Sequence, residues 1–334
     1  MSVHAARAKF RLFSVLLAFI ALTPAWASAA DRLHRPFDGI VVFGDSLSDP
    51  GNAFALTGEH LTPPSYGMDT PLELLTLIPD APYARGGNHF SNGPTWIEDL
   101  GRALGLAASV RPALRSPNGG ASNYAVGGAR ARDDGESFHL SLQVTTFLRD
   151  AGPRVSPDAL YVIAVGGNDV RDALDPDANA PLIIKGAVTA IGANVGRLHA
   201  AGARKFLIWN SPNLAVTPAV RALDTVSPGA AAGAQLLSVL FNADLAQAVA
   251  AAQGAGIDIV PFDAFTEISN IVANPAKFGL NDVTTACITP NVPPFQCRQP
   301  DRHLFWDGIH PTRAGHAIAA LLVGKTLLVE LLDD

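Results

Sequence analysis

The sequence predicts a three-layer α/β/α sandwich around a flavodoxin-like, mostly parallel five-stranded sheet. Short runs of β-branched and aromatic residues, typical of strands buried on both faces, alternate with longer helical stretches. Such alternation favours a parallel sheet covered by helices on both sides. Of the 334 residues, 48% are hydrophobic and 16% charged, which predicts a globular chain and excludes a disordered or collagen-like one.

Four of the predicted strands are continuous apolar runs, and the second in chain order is shorter and weaker. They lie at residues 39–44, 122–126, 159–166, 205–210 and 256–262. Helices are predicted at residues 95–104, 141–151, 181–201, 229–253 and 312–332. We expect a functional site at the carboxyl ends of the strands, where parallel α/β sheets place their ligands.

The N-terminus has the pattern of a signal peptide. A basic start is followed by a short apolar stretch at residues 13–21 and by Ala-Ser-Ala at residues 27–29. This pattern predicts cleavage after Ala29 and export from the cell, either secreted or periplasmic. Residues 30–334 carry no internal repeat or low-complexity linker, so we expect them to form one domain.

Charge and hydropathy narrow the range of partners. The formal net charge is −6, and loss of the basic signal peptide makes it more negative. An acidic protein is a poor ligand for nucleic acid or anionic membranes. No apolar run reaches the roughly 20 residues of a membrane span, so we expect no integral membrane segment after signal removal. The sequence predicts no particular oligomeric state.

The two cysteines, Cys287 and Cys297, are expected to form a disulfide, because an exported chain with an even cysteine count favours one. A bridge that closes so short a loop contributes about 3 kcal/mol when unstrained. Zinc binding is the alternative, and the absence of CxxC spacing and of clustered histidines disfavours it.

Ser46 is a candidate nucleophile. It follows the first predicted strand within Gly-Asp-Ser-Leu-Ser, at residues 44–48, where a hydroxyl reaches the carboxyl edge of the sheet. A helix-capping serine is the alternative at such a place. The segment lacks the second glycine of the α/β-hydrolase nucleophile elbow.

Asp307 and His310 are a candidate orienting acid and base for such a serine. An Asp three residues before a His can fold back onto the imidazole Nδ1 and leave Nε2 free. The same spacing occurs at Asp31–His34, expected in a frayed terminus, and at Glu136–His139, expected to be a solvated pair. We likewise expect His316 on a solvated face of the last helix.

Two glycine-containing segments could donate hydrogen bonds to an oxyanion. Residues 123–129 place a glycine pair after a short strand, and residues 166–169 (Gly-Gly-Asn-Asp) follow a strong one. Each segment alone is an ordinary turn signal. An oxyanion donor typically contributes roughly 3 kcal/mol of transition-state stabilisation.

Together these four segments resemble the motifs of the GDSL, or SGNH, hydrolase family of esterases and lipases. They occur in the family's order: Gly-Asp-Ser-Leu at 44–47, then residues 123–128, 166–169 and 307–310. The resemblance runs from residue 39 to about 318. The segment 89–96 is also similar to the plant-type and bacterial extracellular branch, although that branch more often has Arg where this chain has His89.

The resemblance implies a role for each motif residue. Ser46 would be the nucleophile, His310 the general base and then the general acid, and Asp307 the residue that orients His310. The oxyanion hole would consist of the backbone N–H groups of Ser46 and Gly128 and the side chain of Asn168. It implies neither metal nor organic cofactor.

The family also implies a substrate, a small-molecule or lipid ester. The apolar part of residues 56–92 would line an acyl pocket or, equally, pack into the core (Leu61, Pro63, Pro64, Tyr66, Met68, Leu74, Leu75 and Ile78). Tyr66, and Trp306 beside the Asp–His pair, are candidate substrate contacts, with packing as the alternative. Residues 274–306, which hold both cysteines, form a second long loop, expected to have a function.

The expected activity is that of an exported serine esterase, lipase or lysophospholipase working through an acyl-enzyme. Two alternatives use the same residues: acyl transfer to a sterol or glycerol, and removal of acetyl groups from a polysaccharide. A non-enzymatic lipid- or glycan-binding module is the third alternative. It has no need for Ser46, Asp307 and His310 together.

Overall fold

The computed structural model describes residues 36–66, 68–69, 77–115, 120–153 and 155–333. The predicted signal peptide lies outside them. The strands are β1 (Ile40–Gly44), β2 (Met68–Asp69), β3 (Ile78–Pro79), β4 (Leu160–Ala164), β5 (Lys205–Trp209), β6 (Asp258–Phe262), β7 (Asp282–Ala286) and β8 (His303–Phe305). The helices are α1 (Asn52–Thr57), α2 (Trp96–Ala103), α3 (Leu140–Ala151), α4 (Gly167–Asp172), α5 (Ala180–Ala201), α6 (Pro218–Val226), α7 (Ala230–Gly254), α8 (Ala264–Ala273) and α9 (Arg313–Asp333).

The central sheet is parallel, with strand order β1-β4-β5-β6. Side chains alternate between its two faces, as in strands covered on both sides. Val41 and Phe43 pack into one core with α3, α5 and α7, and Ile40 and Val42 pack into another with α2 and α9. The predicted α/β/α fold class is confirmed.

The predicted second strand, residues 122–126, runs beside β1 without forming a continuous ladder. The Val42 N–H donates to the Ser122 carbonyl at 2.9 Å, and the Tyr124 N–H donates back to Val42 at 2.8 Å. The ladder is interrupted at Gly44, because its N–H donates to Gln143 Oε1 at 2.9 Å instead of to this segment. With this segment included, the order is that of a flavodoxin-like sheet, with four regular strands and one irregular edge.

Two helices, α7 and α9, are apolar and long enough to cross a membrane by length and composition alone. Each nevertheless packs one stripe of side chains on the sheet, as helices of globular domains do. Phe241 and Leu245 of α7 and Val323 and Leu327 of α9 are buried in the two cores. The outer faces of both helices expose leucines (Leu236, Leu240, Leu321, Leu328 and Leu332).

The second long loop contains the small parallel pair β7–β8 and a disulfide between Cys287 and Cys297. The Cys287 N–H donates to the Phe305 carbonyl and the Ile288 N–H to the Trp306 carbonyl, at 3.3 and 2.8 Å. The bridge is therefore tied directly to the strand that leads into Asp307.

Candidate active site

Three side chains from two distant parts of the chain form a continuous series of hydrogen bonds. Ser46 follows β1, and its Oγ lies 2.8 Å from His310 Nε2. His310 Nδ1 lies 2.8 Å from Asp307 Oδ2. All three residues are at most 9% exposed. The structure thus brings together the three residues that the sequence motifs single out.

The Asp307 carboxylate closes the turn that holds Asp307 and His310. Asp307 Oδ1 accepts the backbone N–H groups of Ile309 and His310, at 2.9 and 2.8 Å. These bonds leave Oδ2 free to meet the imidazole. Oδ2 also accepts the hydroxyl of Tyr83 at 2.9 Å, a contact absent from the sequence prediction.

The loop that carries Ser46 is held by two buried aspartates. Asp45 Oδ1 accepts the Leu47 N–H at 3.0 Å, and burial raises the Asp45 pKa to about 6. Asp49 accepts the N–H groups of Gly51 and Gly127, at 2.7 and 2.8 Å. Burial raises the Asp49 pKa despite these bonds. Asp49 thereby links the serine loop to the glycine pair.

Neither position of the glycine pair readily accepts a side chain. A Cβ on Gly127 would lie 2.0 Å from the Phe90 ring, whereas Gly128 adopts φ +77°, which side chains disfavour. Open space lies where a Gly128 side chain would be. Gly128 and Asn168 line the same cavity as Ser46.

Asn168 lies in the first turn of α4, after β4. Its Nδ2 donates to the Ala129 carbonyl at 2.9 Å, so one of its two amide hydrogens is committed to the glycine loop. This bond orients the side chain and leaves the second hydrogen for another acceptor.

Salt bridges join the glycine loop to α4. Arg130 pairs with both oxygens of Asp172 at 3.0 Å, and its Nη1 donates to the Gly128 carbonyl at 2.7 Å. Arg132 lies 2.8 Å from Asp169, whose other oxygen accepts the Ala131 N–H at 2.7 Å. The two segments expected to supply oxyanion donors are therefore locked to each other by charge-assisted bonds.

Tyr66 and Trp306 are absent from the described lining of this cavity, and their role as substrate contacts stays a prediction. They are 7% and 3% exposed and pack edge-on against Tyr83, with ring centroids 5.8 and 5.9 Å away. The disulfide belongs to the same cluster. These aromatic rings support Tyr83, and through it Asp307.

The predictions that His316 and His139 are solvated are wrong. His316 is 2% exposed, and its pKa is lowered to about 3 by burial and by the nearby His310 and His89. Its Nδ1 accepts the Trp96 N–H at 3.3 Å, at the start of α2. His139 is 7% exposed, and its Nε2 faces Asp133 at 3.3 Å rather than Glu136.

His89, where the family branch more often has Arg, pairs with Glu98. Its Nε2 lies 2.9 Å from Glu98 Oε2, and its Nδ1 lies 2.6 Å from the Gly86 carbonyl. Burial acts to lower the His89 pKa, but Glu98, the Gly86 carbonyl and the Asp49 charge together outweigh it, so the pKa is raised. Glu98 also accepts the Thr95 N–H at 2.8 Å in a capping box, so the pair anchors the start of α2.

A cavity of about 350 Å³ opens beside Ser46. That volume falls at the low end of the range for small-molecule sites, which is about 300–1,000 Å³. The described lining of the cavity includes Ile78, Pro79 and Ala81 of the first long loop. Met68, Leu74 and Leu75 have no described side chains, and the role of this loop as acyl pocket stays a prediction.

Among the described residues, one cluster brings together side chains of the types that bind metal ions. It consists of Cys287, Cys297 and His303. The two sulfurs are joined in the disulfide and so offer no thiolate to an ion. This arrangement does not fit zinc.

Comparison with known proteins agrees with this geometry. The GDSL-like Lipase/Acylhydrolase family model matches residues 40–323. A GDSL esterase/lipase of Arabidopsis thaliana is 28% identical over 91% of this chain and 90% of its own. The phosphatidylcholine-sterol acyltransferase of Aeromonas hydrophila is 29% identical over 82% and 71%. Esterase EstA of Pseudomonas aeruginosa is 29% identical over 90% of this chain, which spans 48% of that relative.

The chain belongs to the GDSL-like lipase/acylhydrolase family. It is a serine ester hydrolase by class.

Proposed function

We propose that this chain hydrolyses carboxylic esters with Ser46 as nucleophile, His310 as general base and acid, and Asp307 as the orienting carboxylate. The observation that carries the proposal is the continuous relay of two 2.8 Å contacts, from Ser46 Oγ through the His310 ring to Asp307, with Ser46 at the wall of a cavity. A nucleophile hydrogen-bonded to a base, which is in turn oriented by a carboxylate, defines catalysis through a serine triad.

The first half of the reaction forms the acyl-enzyme. His310 Nε2 takes the hydroxyl proton while Ser46 Oγ forms a bond to the ester carbonyl carbon. The carbonyl oxygen becomes an oxyanion, which accepts the N–H groups of Ser46 and Gly128 and the second amide hydrogen of Asn168. The bond to the alcohol oxygen then breaks, and the alcohol leaves with the proton from His310.

The second half releases the acid. Water enters in place of the alcohol, gives a proton to His310 Nε2 and attacks the acyl carbon. When the tetrahedral intermediate collapses, Ser46 recovers its proton from His310 and the carboxylic acid departs. Through both halves Asp307 holds the imidazole in one tautomer and stabilises its positive charge.

The test is hydrolysis of p-nitrophenyl esters from acetyl to palmitoyl by the purified chain and its Ser46→Ala variant. We expect kcat to fall by at least 10³-fold in the variant, as in other serine triads. The Ser48→Ala variant is the control, since Ser48 bonds Trp96 Nε1 rather than His310. A fluorophosphonate probe should label wild type and Ser48→Ala but not Ser46→Ala. Equal activity in wild type and Ser46→Ala would contradict the proposal.

Acyl transfer is the second candidate function, favoured by the similarity to a phosphatidylcholine-sterol acyltransferase. The same acyl-enzyme would react with a sterol or glycerol hydroxyl instead of water. Adding such an acceptor to the ester assay distinguishes the two: a transferase forms the new ester at the expense of free acid.

We also propose that the protein works outside the cytoplasm, secreted or periplasmic. Two features support this, the signal-peptide pattern of residues 1–29 and the Cys287–Cys297 disulfide. Sequencing the N-terminus of the protein expressed in a bacterial host tests it. We expect the mature chain to begin at Ala30 in the periplasm or medium, and an uncleaved cytoplasmic chain would contradict the proposal.

A further inference from the structure

The backbone around Gly128 depends on its surroundings for a fixed direction. Two successive glycines give this loop wide conformational freedom, and Gly128 adopts φ +77° with open space where a side chain would lie. An oxyanion donor is effective when it is aimed in advance at the place where negative charge develops. The contacts that fix the peptide groups of Gly128 therefore bear on catalysis.

Three side chains hold this loop. Asp49 Oδ2 accepts the Gly127 N–H at 2.8 Å. Arg130 Nη1 donates to the Gly128 carbonyl at 2.7 Å, and Asn168 Nδ2 donates to the carbonyl of the following residue at 2.9 Å. Of these three contacts, the one from Arg130 is made to Gly128 itself.

The Arg130 guanidinium reaches Gly128 from a fixed position. Its Nε and Nη2 bond the two oxygens of Asp172, each at 3.0 Å, and Nε also lies 3.5 Å from Asp134 Oδ2. Burial acts to lower the Arg130 pKa, but the acidic side chains around it, Asp172 foremost, outweigh burial and raise it. A planar fork bound by a carboxylate along one edge has its remaining nitrogen aimed in one direction. Arg130 thus connects α4 rigidly to the Gly128 carbonyl.

This contact acts through geometry rather than through added positive charge. Asp172 and Asp134 lie against the same guanidinium, so its charge is balanced in place. The N–H and the carbonyl of Gly128 belong to adjacent peptide groups. Because a residue without a Cβ rotates freely between them, fixing the carbonyl limits the directions open to the N–H.

We propose that Arg130 is a positioning residue of the oxyanion hole, which aims the Gly128 N–H at the carbonyl oxygen of an ester at Ser46. This inference rests on the proposed function, because the Gly128 N–H needs this direction only if Ser46 attacks an ester. Arg130 also lines the cavity, so direct binding of an acidic substrate group is the alternative that the test must separate.

Replacing Arg130 with Ala should lower kcat on p-nitrophenyl esters by about 10- to 100-fold with little change in KM. This loss is smaller than the roughly 10²- to 10³-fold of a deleted oxyanion donor, because the Gly128 N–H remains and is only misaligned. Asp172 keeps its contact with Arg132 at 2.6 Å, so its carboxylate stays paired in the variant.

Arg204→Ala is the matched control. Arg204 Nη1 also donates to a backbone carbonyl at 2.7 Å, that of Ala203, but at the amino end of β5 and outside the described cavity lining. It should leave both kcat and KM unaffected.

Ethylguanidinium, which replaces the atoms that Arg130→Ala removes, separates positioning from a general weakening of the fold. The Arg130 side chain is 20% exposed and lines the cavity, so an added ion can reach its place. At tens of millimolar, well below the molar range in which guanidinium salts unfold proteins, it should raise kcat of Arg130→Ala severalfold. Wild type and Arg204→Ala should not respond. Arg130→Lys should recover little of the lost kcat, because lysine lacks the planar fork that joins Asp172 to the Gly128 carbonyl.

Three results would overturn the proposal: an Arg130→Ala variant with the kcat of wild type, a loss confined to KM, or a loss of kcat that ethylguanidinium leaves unchanged. If Arg130→Ala fails to fold, Arg130→Lys decides. A tenfold or greater loss of kcat at unchanged KM in Arg130→Lys would support the proposal, and any smaller loss would overturn it. A wild-type chain inactive on every ester would instead refute the proposed function, so the two failures are distinguishable.

Discussion

Tyr83 donates a hydrogen bond to Asp307 Oδ2 at 2.9 Å, the same oxygen that meets His310 Nδ1 at 2.8 Å. The phenol is 1% exposed, and burial together with the Asp307 charge raises its pKa well above the ordinary value. It therefore remains a donor at any pH at which the protein works. Tyr83 is a positioning residue, which acts on the base through Asp307.

Replacing Tyr83 with Phe should lower kcat/KM about tenfold, because a hydrogen bond to a charged group contributes about 1.5 kcal/mol or more. The packed ring remains, so the melting temperature should change little. The fluorophosphonate labelling rate, which depends on His310 as base, should fall in parallel. Tyr66→Phe is the control, since that hydroxyl lies in the same aromatic cluster without bonding Asp307. Equal effects from the two variants would show that Tyr83 acts through packing alone.

Asn168→Ala should lower kcat on p-nitrophenyl esters by 10²- to 10³-fold with little change in KM, because an oxyanion donor acts in the transition state. Asn168→Asp, which keeps the shape but turns donors into acceptors, should be no better. Asn179→Ala is the control, since Asn179 caps α5 at an exposed position. A loss confined to KM would mean that Asn168 binds substrate without stabilising the oxyanion.

The strands were predictable from local signals, whereas the serine and the Asp–His pair were predictable because four motifs occur together in the order of the family. The turn at Asp307 is closed by contacts two and three residues along the chain, and a buried strand shows as a continuous apolar run. Tyr83 was not predictable, because it lies in none of the four motifs and its contact with Asp307 depends on how two loops pack.

The burial of His316 was not predicted, although the sequence carried a signal for it. It shares a helical face with Ala320, Val323 and Leu327, at spacings of four, seven and eleven residues. All three belong to the core between α9 and the sheet. Periodicity therefore indicated burial, whereas residue type alone suggested solvent.

Reducing the Cys287–Cys297 bridge should destabilise the loop before the Asp–His pair. The expected loss is about 3 kcal/mol in the free energy of unfolding, which lowers the melting temperature by about 5 °C or more. Activity should fall as well, because Ile288 beside the bridge bonds the Trp306 backbone. Calorimetry and ester assays with and without dithiothreitol measure both effects. A protein with serine at both positions should not respond to the reductant. If reduction changed neither the melting temperature nor the activity, the bridge would not stabilise this loop.

His316 should make the protein less stable as the pH falls. Its pKa is about 3 in the folded state, lowered first by burial, against about 6.5 in an unfolded chain. Between these values the unfolded state binds more protons, so the contribution of His316 to stability is complete above pH 6.5 and is lost as the pH falls toward 3. From pH 6.5 to 5 the loss is about 2 kcal/mol.

The His316→Asn variant removes this titration while keeping an acceptor near the Trp96 N–H. Urea unfolding at pH 5 and pH 7.5 should show a pH-dependent loss about 2 kcal/mol larger in wild type than in the variant. Asp45, whose pKa is raised to about 6, has the opposite sign below pH 6, but it is present in both proteins and cancels in their difference. His60→Asn, at an exposed position, controls for the loss of a surface histidine. Equal pH dependence in wild type and His316→Asn would exclude His316 as the source of acid sensitivity.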